Sequence, residues 1–268
     1  MIKADYHTHT YFCDGDNSPR DMIEKAVELG LEYYGFSSHC FTDLPHEILT
    51  DEKAYISECV KIRKEYKDRI NILIGIEMEN LLGKNSHKKV EYTIGSTHYL
   101  FVNGQYLCLD YSKDEFASLC KNHFGGDYYK FVKEYYKTEA EVVKNTDCTF
   151  IGHFDLITKF NEGFVLFDES DKRYTDPALE ALAALKEYEV PFEINTSQFS
   201  RKKKSELYPS MFILKKMHEM GCEIIINSDA HSPAMIISGF DEAVSRAKEC
   251  GFNHVNILTS KGFIQTAI

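Results

Sequence analysis

Ile2-Lys3-Ala4-Asp5-Tyr6-His7-Thr8-His9 is the stretch from which the rest of the chain can be read. A short apolar run leads straight into His7-Thr8-His9. In an extended segment residues i and i+2 project to the same side, so two imidazoles can grip one metal ion. A helical pattern comes next. Ser18 suits the cap, Pro19 the first turn, and Asp21 the acidic position of a capping box. Met22, Ile23, Ala26, Val27 and Leu29 then make one apolar face, which Gly30 ends.

Six further apolar runs behave in the same way: Tyr33 to Ser37, Ile70 to Ile76, Tyr92 to Thr97, Thr149 to Gly152, Val190 to Ile194 and Glu223 to Asn227. Helical patterns separate several of them, at Asp51 to Arg69, at Asp176-Pro177 through Glu189, and at Pro209 to Met220. Strands alternating with crossover helices indicate a parallel sheet. An open doubly wound sheet is the rival, but no Gly-x-Gly-x-x-Gly turn follows the first strand. The reading is therefore an α/β barrel of about seven strands. Residues 112–145 exceed a normal crossover and read as an outer, kinked helix pair packed by aromatic rings, or alternatively as a flap over the pocket.

Polar ligand types recur after the runs: Asp14 in the first loop, then His39, Glu77, His98, His153, and Asp229 with His231. A parallel barrel brings every strand end to one mouth, so nine such residues, His7 and His9 included, converge there. Burying that many polar groups without metal or partners would be costly. Mixed imidazole and carboxylate donors suit zinc, manganese or iron(II), and nine of them exceed one tetrahedral centre, so two or three ions bridged by a carboxylate, Glu77, are expected. His46, His87, His123, His218 and His254 fall outside the pattern and read as ordinary structural histidines.

These residues resemble the motifs of the PHP (polymerase and histidinol phosphatase) family. Asp5-Tyr6-His7-Thr8-His9, Ser38-His39, Gly75-Ile76-Glu77, Gly95-Ser96-Thr97-His98, Gly152-His153-Phe154-Asp155 and Ser228-Asp229-Ala230-His231 stand in the family's order. The resemblance implies one catalytic domain over residues 1–268, a distorted (β/α)7 barrel, TIM-barrel-like, with a trinuclear site at the C-terminal ends of the strands. One ion would take His7, His9, Glu77 and Asp229; a second Glu77, His98 and His153; a third Asp14, His39 and His231. Phe192 to Ser197 and Glu206 to Ser210 look most like the monofunctional histidinol-phosphate phosphatases of histidine biosynthesis.

That likeness implies hydrolysis of L-histidinol phosphate by a metal-bridged hydroxide, with Glu77, Asp229 and His231 as catalytic residues. Arg201 and Lys159 are candidates for phosphate contacts. Glu193, Phe41 or the tyrosines of the insertion are candidates for the imidazole. The alternatives are a phosphodiesterase, exonuclease or nucleotide phosphatase of the same family, and a non-catalytic metal-binding module that docks a partner.

Composition narrows the partners. At 43% hydrophobic and 27% charged residues the 268-residue chain can bury a substantial core. A formal net charge of −11 argues against general nucleic-acid binding, while a small anionic phosphate monoester stays compatible because bound cations reverse the field inside one pocket. No segment approaches 18 consecutive apolar residues and Met1 to His7 has no leader pattern, so no membrane association is expected. Eight scattered cysteines without a C-x-x-C pair read as reduced thiols, consistent with a cytoplasmic protein.

Overall fold

The protein is described by a computed structural model covering residues 2–40, 44, 51–82, 90–200 and 207–268. Its strands are β1 (Ala4–Asp5), β2 (Tyr33–Phe36), β3 (Asn71–Glu79), β4 (Tyr92–Ser96), β5 (Tyr99–Val102), β6 (Gln105–Cys108), β7 (Phe150–Ile151), β8 (Phe192–Asn195), β9 (Ile224–Asn227), β10 (His254–Thr259) and β11 (Gly262–Ala267). Its α-helices are α1 (Pro19–Glu28), α2 (Glu52–Tyr66), α3 (Lys113–Phe124), α4 (Tyr128–Glu139), α5 (Val142–Thr146), α6 (Lys172–Lys186), α7 (Ser197–Ser200), α8 (Met211–Glu219) and α9 (Phe240–Cys250). None of the helices searched among the described residues is long and apolar enough to cross a membrane.

Seven strands form one parallel sheet in the order β1-β2-β3-β4-β7-β8-β9, and each lies on one of the seven apolar runs. The sheet's ends meet through a short seam. Thr8 bridges Ala230 in parallel, His9 N donates to Ala230 O at 2.8 Å, and Ala230 N donates to His7 O at 3.1 Å. Side chains extend it, since Asn227 Oδ1 accepts Tyr6 N and Asp5 Oδ1 accepts Ser228 N. The result is a distorted (β/α)7 barrel.

Tyr92 plugs the barrel interior. Its hydroxyl donates to the carbonyls of Tyr6 and Phe36, at 2.5 and 2.9 Å. Glycine is required on the strands it crosses: a Cβ at Gly75 would lie 2.4 Å from the Tyr92 ring, and one at Gly35 would lie 2.3 Å from its hydroxyl. Close packing leaves no room for either.

The α1 start matches its sequence signature, with Ser18 Oγ accepting Asp21 N and Asp21 Oδ2 accepting Ser18 N. The expected start of α6 at Asp176-Pro177 is wrong. Asp171 caps the helix five residues before Asp176, with its carboxylate accepting Arg173 N at 2.8 Å, and Pro177 sits inside. The buried face explains this. Tyr174, Ala178, Ala181, Leu182 and Leu185 share it, and the Tyr174 hydroxyl accepts a bond from Tyr136, so packing outweighs the one hydrogen bond proline removes.

Residues 112–145 also differ from the expected helix pair. Three helices occupy them, and Gly125 and Gly126, with φ of +66° and +80°, break the chain between α3 and α4. Phe116, Phe131, Tyr135 and Tyr136 are fully buried in the main core, which is the packing alternative rather than a flap. The hairpins β5–β6 and β10–β11 went unrecognised in the sequence.

Candidate metal centre

Because all seven barrel strands are parallel, their C-terminal ends share one mouth. Each ligand-type residue follows from that topology. His7 and His9 leave β1 beside Ala230, and His39 pairs in parallel with Glu77 beyond the end of β2. Glu77 lies on β3, His98 just past β4, His153 past β7, and Asp229 and His231 past β9. Asp229 adopts a left-handed backbone, φ +50°, uncommon for a residue with a side chain and consistent with a constrained turn at a site.

Glu77 is the hub. Its Oε2 lies 3.0 Å from His39 Nδ1, 3.2 Å from His7 Nε2 and 3.5 Å from His9 Nε2. Its Oε1 lies 3.1 Å from His153 Nε2 and 3.4 Å from His98 Nε2. Five imidazoles therefore surround one carboxylate that is 1% exposed. A second cluster forms at the rim, where Asp14 is 2.9 Å from His231 Nε2, 3.4 Å from His9 Nδ1 and 3.6 Å from His39 Nε2. Asp229 Oδ1 joins the two, 3.3 Å from His9 Nε2 and 3.4 Å from His231 Nδ1.

Among the described residues, three groups bring donor atoms within 4.8 Å of one another: His7, His9 and Asp229; His9, Asp14, His39 and His231; and His39, Glu77 and His98. All nine expected residues thus meet at one mouth. Their grouping is less partitioned than the resemblance implied, because His9 reaches the Asp14 cluster and His39 faces both Glu77 and Asp14.

The donor chemistry fits divalent metal. His7 Nε2, His9 Nε2 and Glu77 Oε2 are buried, make no hydrogen bond, and face one another. Buried polar atoms seldom go unsatisfied without a reason such as an ion. Their electrostatics agree. Burial pushes the Glu77 carboxyl up, but His7, His39 and His98 outweigh it and hold it well below the usual carboxylate range. Burial and the neighbouring His231 and His39 lower His9 to about 4, leaving it neutral and able to ligate. Burial lowers His7, yet Glu193, Glu77 and Asp229 together raise it well above an ordinary imidazole.

Carboxylates behind the imidazoles orient them, and sequence reasoning missed these roles. Glu193 accepts His7 Nδ1 at 2.8 Å, the His153 backbone N–H, and the amides of Asn195 and Asn227. Glu79 lies 3.2 Å from His98 Nδ1 and accepts the His98 backbone N–H at 2.9 Å. Such bonds fix the ring so that its other nitrogen is offered to an ion. Glu193 is therefore not available to a substrate imidazole: it is fully buried with its oxygens committed. Of the insertion's rings, buried Tyr135 and Tyr136 are likewise removed, and Phe41 lies outside the described residues. The only sequence signal for Glu79 was its position two residues beyond Glu77 on the same strand face.

The mouth opens into a cleft of about 80 Å³ whose lining includes Asp14, His39, Glu77, His98, His153, Asp229 and His231, with Asp110, Lys159 and Tyr208 beside them. No residue of 112–145 lines it. Lys159 Nζ lies 3.0 Å from Asp110 Oδ2. Burial pushes the Asp110 carboxyl up, but Lys159 and His98 outweigh it and keep it ionised. A cavity of about 460 Å³ lies far from this chemistry, against β1 and the C-terminal hairpin, and gathers no comparable donor set. Arg201, His46 and His87 lie outside the described residues. His218 packs on Phe252 and His254 contacts Glu223, both as structural histidines.

A family profile described as the PHP domain matches residues 5–197. The chain belongs to the PHP domain family. Within it, this PHP chain is 27% identical to the histidinol-phosphatase of Lactococcus lactis subsp. lactis, covering 95% of this chain and 94% of that protein. It is 25% identical to the histidinol-phosphatase of Bacillus subtilis, covering 92% of this chain and all of that one. The solved histidinol phosphate phosphatase of Lactococcus lactis, in complex with zinc, L-histidinol and phosphate, superposes with a TM-score of 0.71 at 22% identity, covering 98% of each chain, and shares the barrel.

Proposed function

We propose that this PHP protein hydrolyses L-histidinol phosphate to L-histidinol and inorganic phosphate, as a metal-dependent phosphoric monoester hydrolase of histidine biosynthesis. The observation that carries the reading is the ring of five imidazoles about Glu77 at the barrel mouth. Relatives named histidinol-phosphatase that align over nearly the whole chain supply the substrate.

His7, His9, Asp14, His39, Glu77, His98, His153, Asp229 and His231 would hold three divalent cations, zinc, manganese or iron(II). When bound, such cations lower the pKa of water to about 7 and offset phosphoryl charge. Glu77 sits where its two oxygens face different imidazole sets, the position of a bridge. Glu193 and Glu79 hold His7 and His98 in orientation. Lys159 offers an ammonium to phosphoryl oxygens, and Arg201 is the second such cation. Asp229 and His231, at 14% and 17% side-chain exposure, are less buried than Glu77 and would face the phosphoryl group from the rim of the cleft as ligands. We read residues 1–268 as one catalytic unit in the cytoplasm, which suits eight cysteines that form no disulfide with one another.

The test is phosphate release by chelator-stripped protein reloaded separately with zinc, manganese or iron(II). L-histidinol phosphate is compared with a phosphodiester and a nucleoside monophosphate. Metal-dependent turnover with strong preference for L-histidinol phosphate is expected. Better cleavage of another ester would leave the metal chemistry and remove the biosynthetic role.

A further inference from the structure

The cleft carries one charge pair that the metal chemistry does not use. Of the described residues lining it, Lys159 is the single ammonium or guanidinium cation, and Asp110 is the single carboxylate outside the candidate ligand set of Asp14, Glu77 and Asp229. The two sit 3.0 Å apart with side chains 17% and 25% exposed, so both remain reachable from the cleft. Cys108 Sγ also donates to Asp110 Oδ1, at 3.5 Å, which helps to fix the carboxylate.

The proposed substrate is itself a zwitterion. Its phosphoryl group and its ammonium stand on adjacent carbons, whereas its imidazole is one methylene further away. A cation and an anion held side by side match the first two groups and not the third. Resting on the substrate reading above, we infer that Asp110 is the specificity residue that takes the substrate's α-ammonium while Lys159 takes a phosphoryl oxygen. The bound zwitterion replaces the internal pair with one pair to each residue. Each buried charge keeps a partner throughout, so the exchange leaves neither uncompensated. An ester without the amine leaves Asp110 competing for Lys159, which disfavours it.

The experiment compares the metal-loaded enzyme and its Asp110→Asn variant on L-histidinol phosphate and on its deamino analogue, 3-(imidazol-4-yl)propyl phosphate. In the wild type the amino ester is expected to be preferred in kcat/KM. In Asp110→Asn that value should fall about ten- to a hundredfold for the amino ester, the range for a hydrogen bond to a charged group, and rise for the analogue, because the neutral amide no longer competes for Lys159. Equal losses on both esters would overturn the inference, because Asp110 would then act on Lys159, on the imidazole or on the fold. No loss on either ester would also overturn it. Wild-type protein that cleaves both esters equally sinks the inference but leaves the substrate reading, whereas wild-type protein that cleaves neither removes both.

Discussion

Glu139, on α4, makes a quantitative prediction about the support behind His98. Its carboxyl is 1% exposed, Oε2 accepts the Thr97 hydroxyl at 2.5 Å, and Oε1 is buried without a hydrogen bond. Burial, aided by the charge of nearby Glu79 and opposed by the Thr97 bond, pushes its pKa from 4.5 to about 8. The folded state therefore binds more protons than the unfolded chain between those values, and stability must fall as pH rises through that window. The window is about 3.5 pH units wide, and at about 1.4 kcal/mol per unit the loss is at most roughly 5 kcal/mol. Glu139→Gln keeps an acceptor for Thr97 and cannot ionise. Urea unfolding of metal-free wild type and variant at pH 5, 6, 7 and 8 isolates the effect, since other titrating groups are common to both. The variant should gain on the wild type by several kcal/mol between pH 5 and pH 8. Parallel stability profiles would refute the argument.

Three further outcomes are expected at the site. Glu77→Ala and His153→Ala should lose bound metal and phosphatase activity together, each by more than about a hundredfold, as read by elemental analysis beside turnover; full activity in metal-depleted variant protein would contradict the ligand roles. Glu193→Gln should weaken metal binding about 10- to 100-fold in metal-buffered titrations, because an amide cannot accept all four N–H groups that Glu193 now satisfies. Metal uptake should release protons and tighten as pH rises, flattening once the raised His7 and His39 are neutral, because below those pKa values an ion must displace their protons. Calorimetry in two buffers of different ionisation enthalpy measures this, and zero proton release at neutral pH would count against protonated imidazoles in the metal-free site.

The seven barrel strands and the nine ligand-type residues were legible in the sequence because both are local patterns. An apolar run of four to seven residues followed by a helical period marks a strand and its crossover wherever the pair stands. Every ligand candidate except Asp14, which lies further out in the first loop, is within four residues of the end of such a run, so parallel topology alone sends them to one mouth. The Ser18–Asp21 capping box is legible for the same reason. The β5–β6 hairpin also carried a local signal, Asn103-Gly104, with both residues at positive φ, as a tight hairpin turn requires.

What the sequence by itself determined, then, was strand number, direction and the inventory of donors. Only the tertiary structure decided which partner each donor meets. The bond from Glu193 to His7 spans 186 positions, Glu79 reaches across strands to His98, and Asp110 and Lys159 are 49 apart. Nothing in the spacing of such residues encodes their approach, because it arises when the barrel closes and brings strand ends from the whole chain into one buried space. The same packing drew the start of α6 upstream of Pro177, where burying Tyr174 against Tyr136 outweighed a local stop signal.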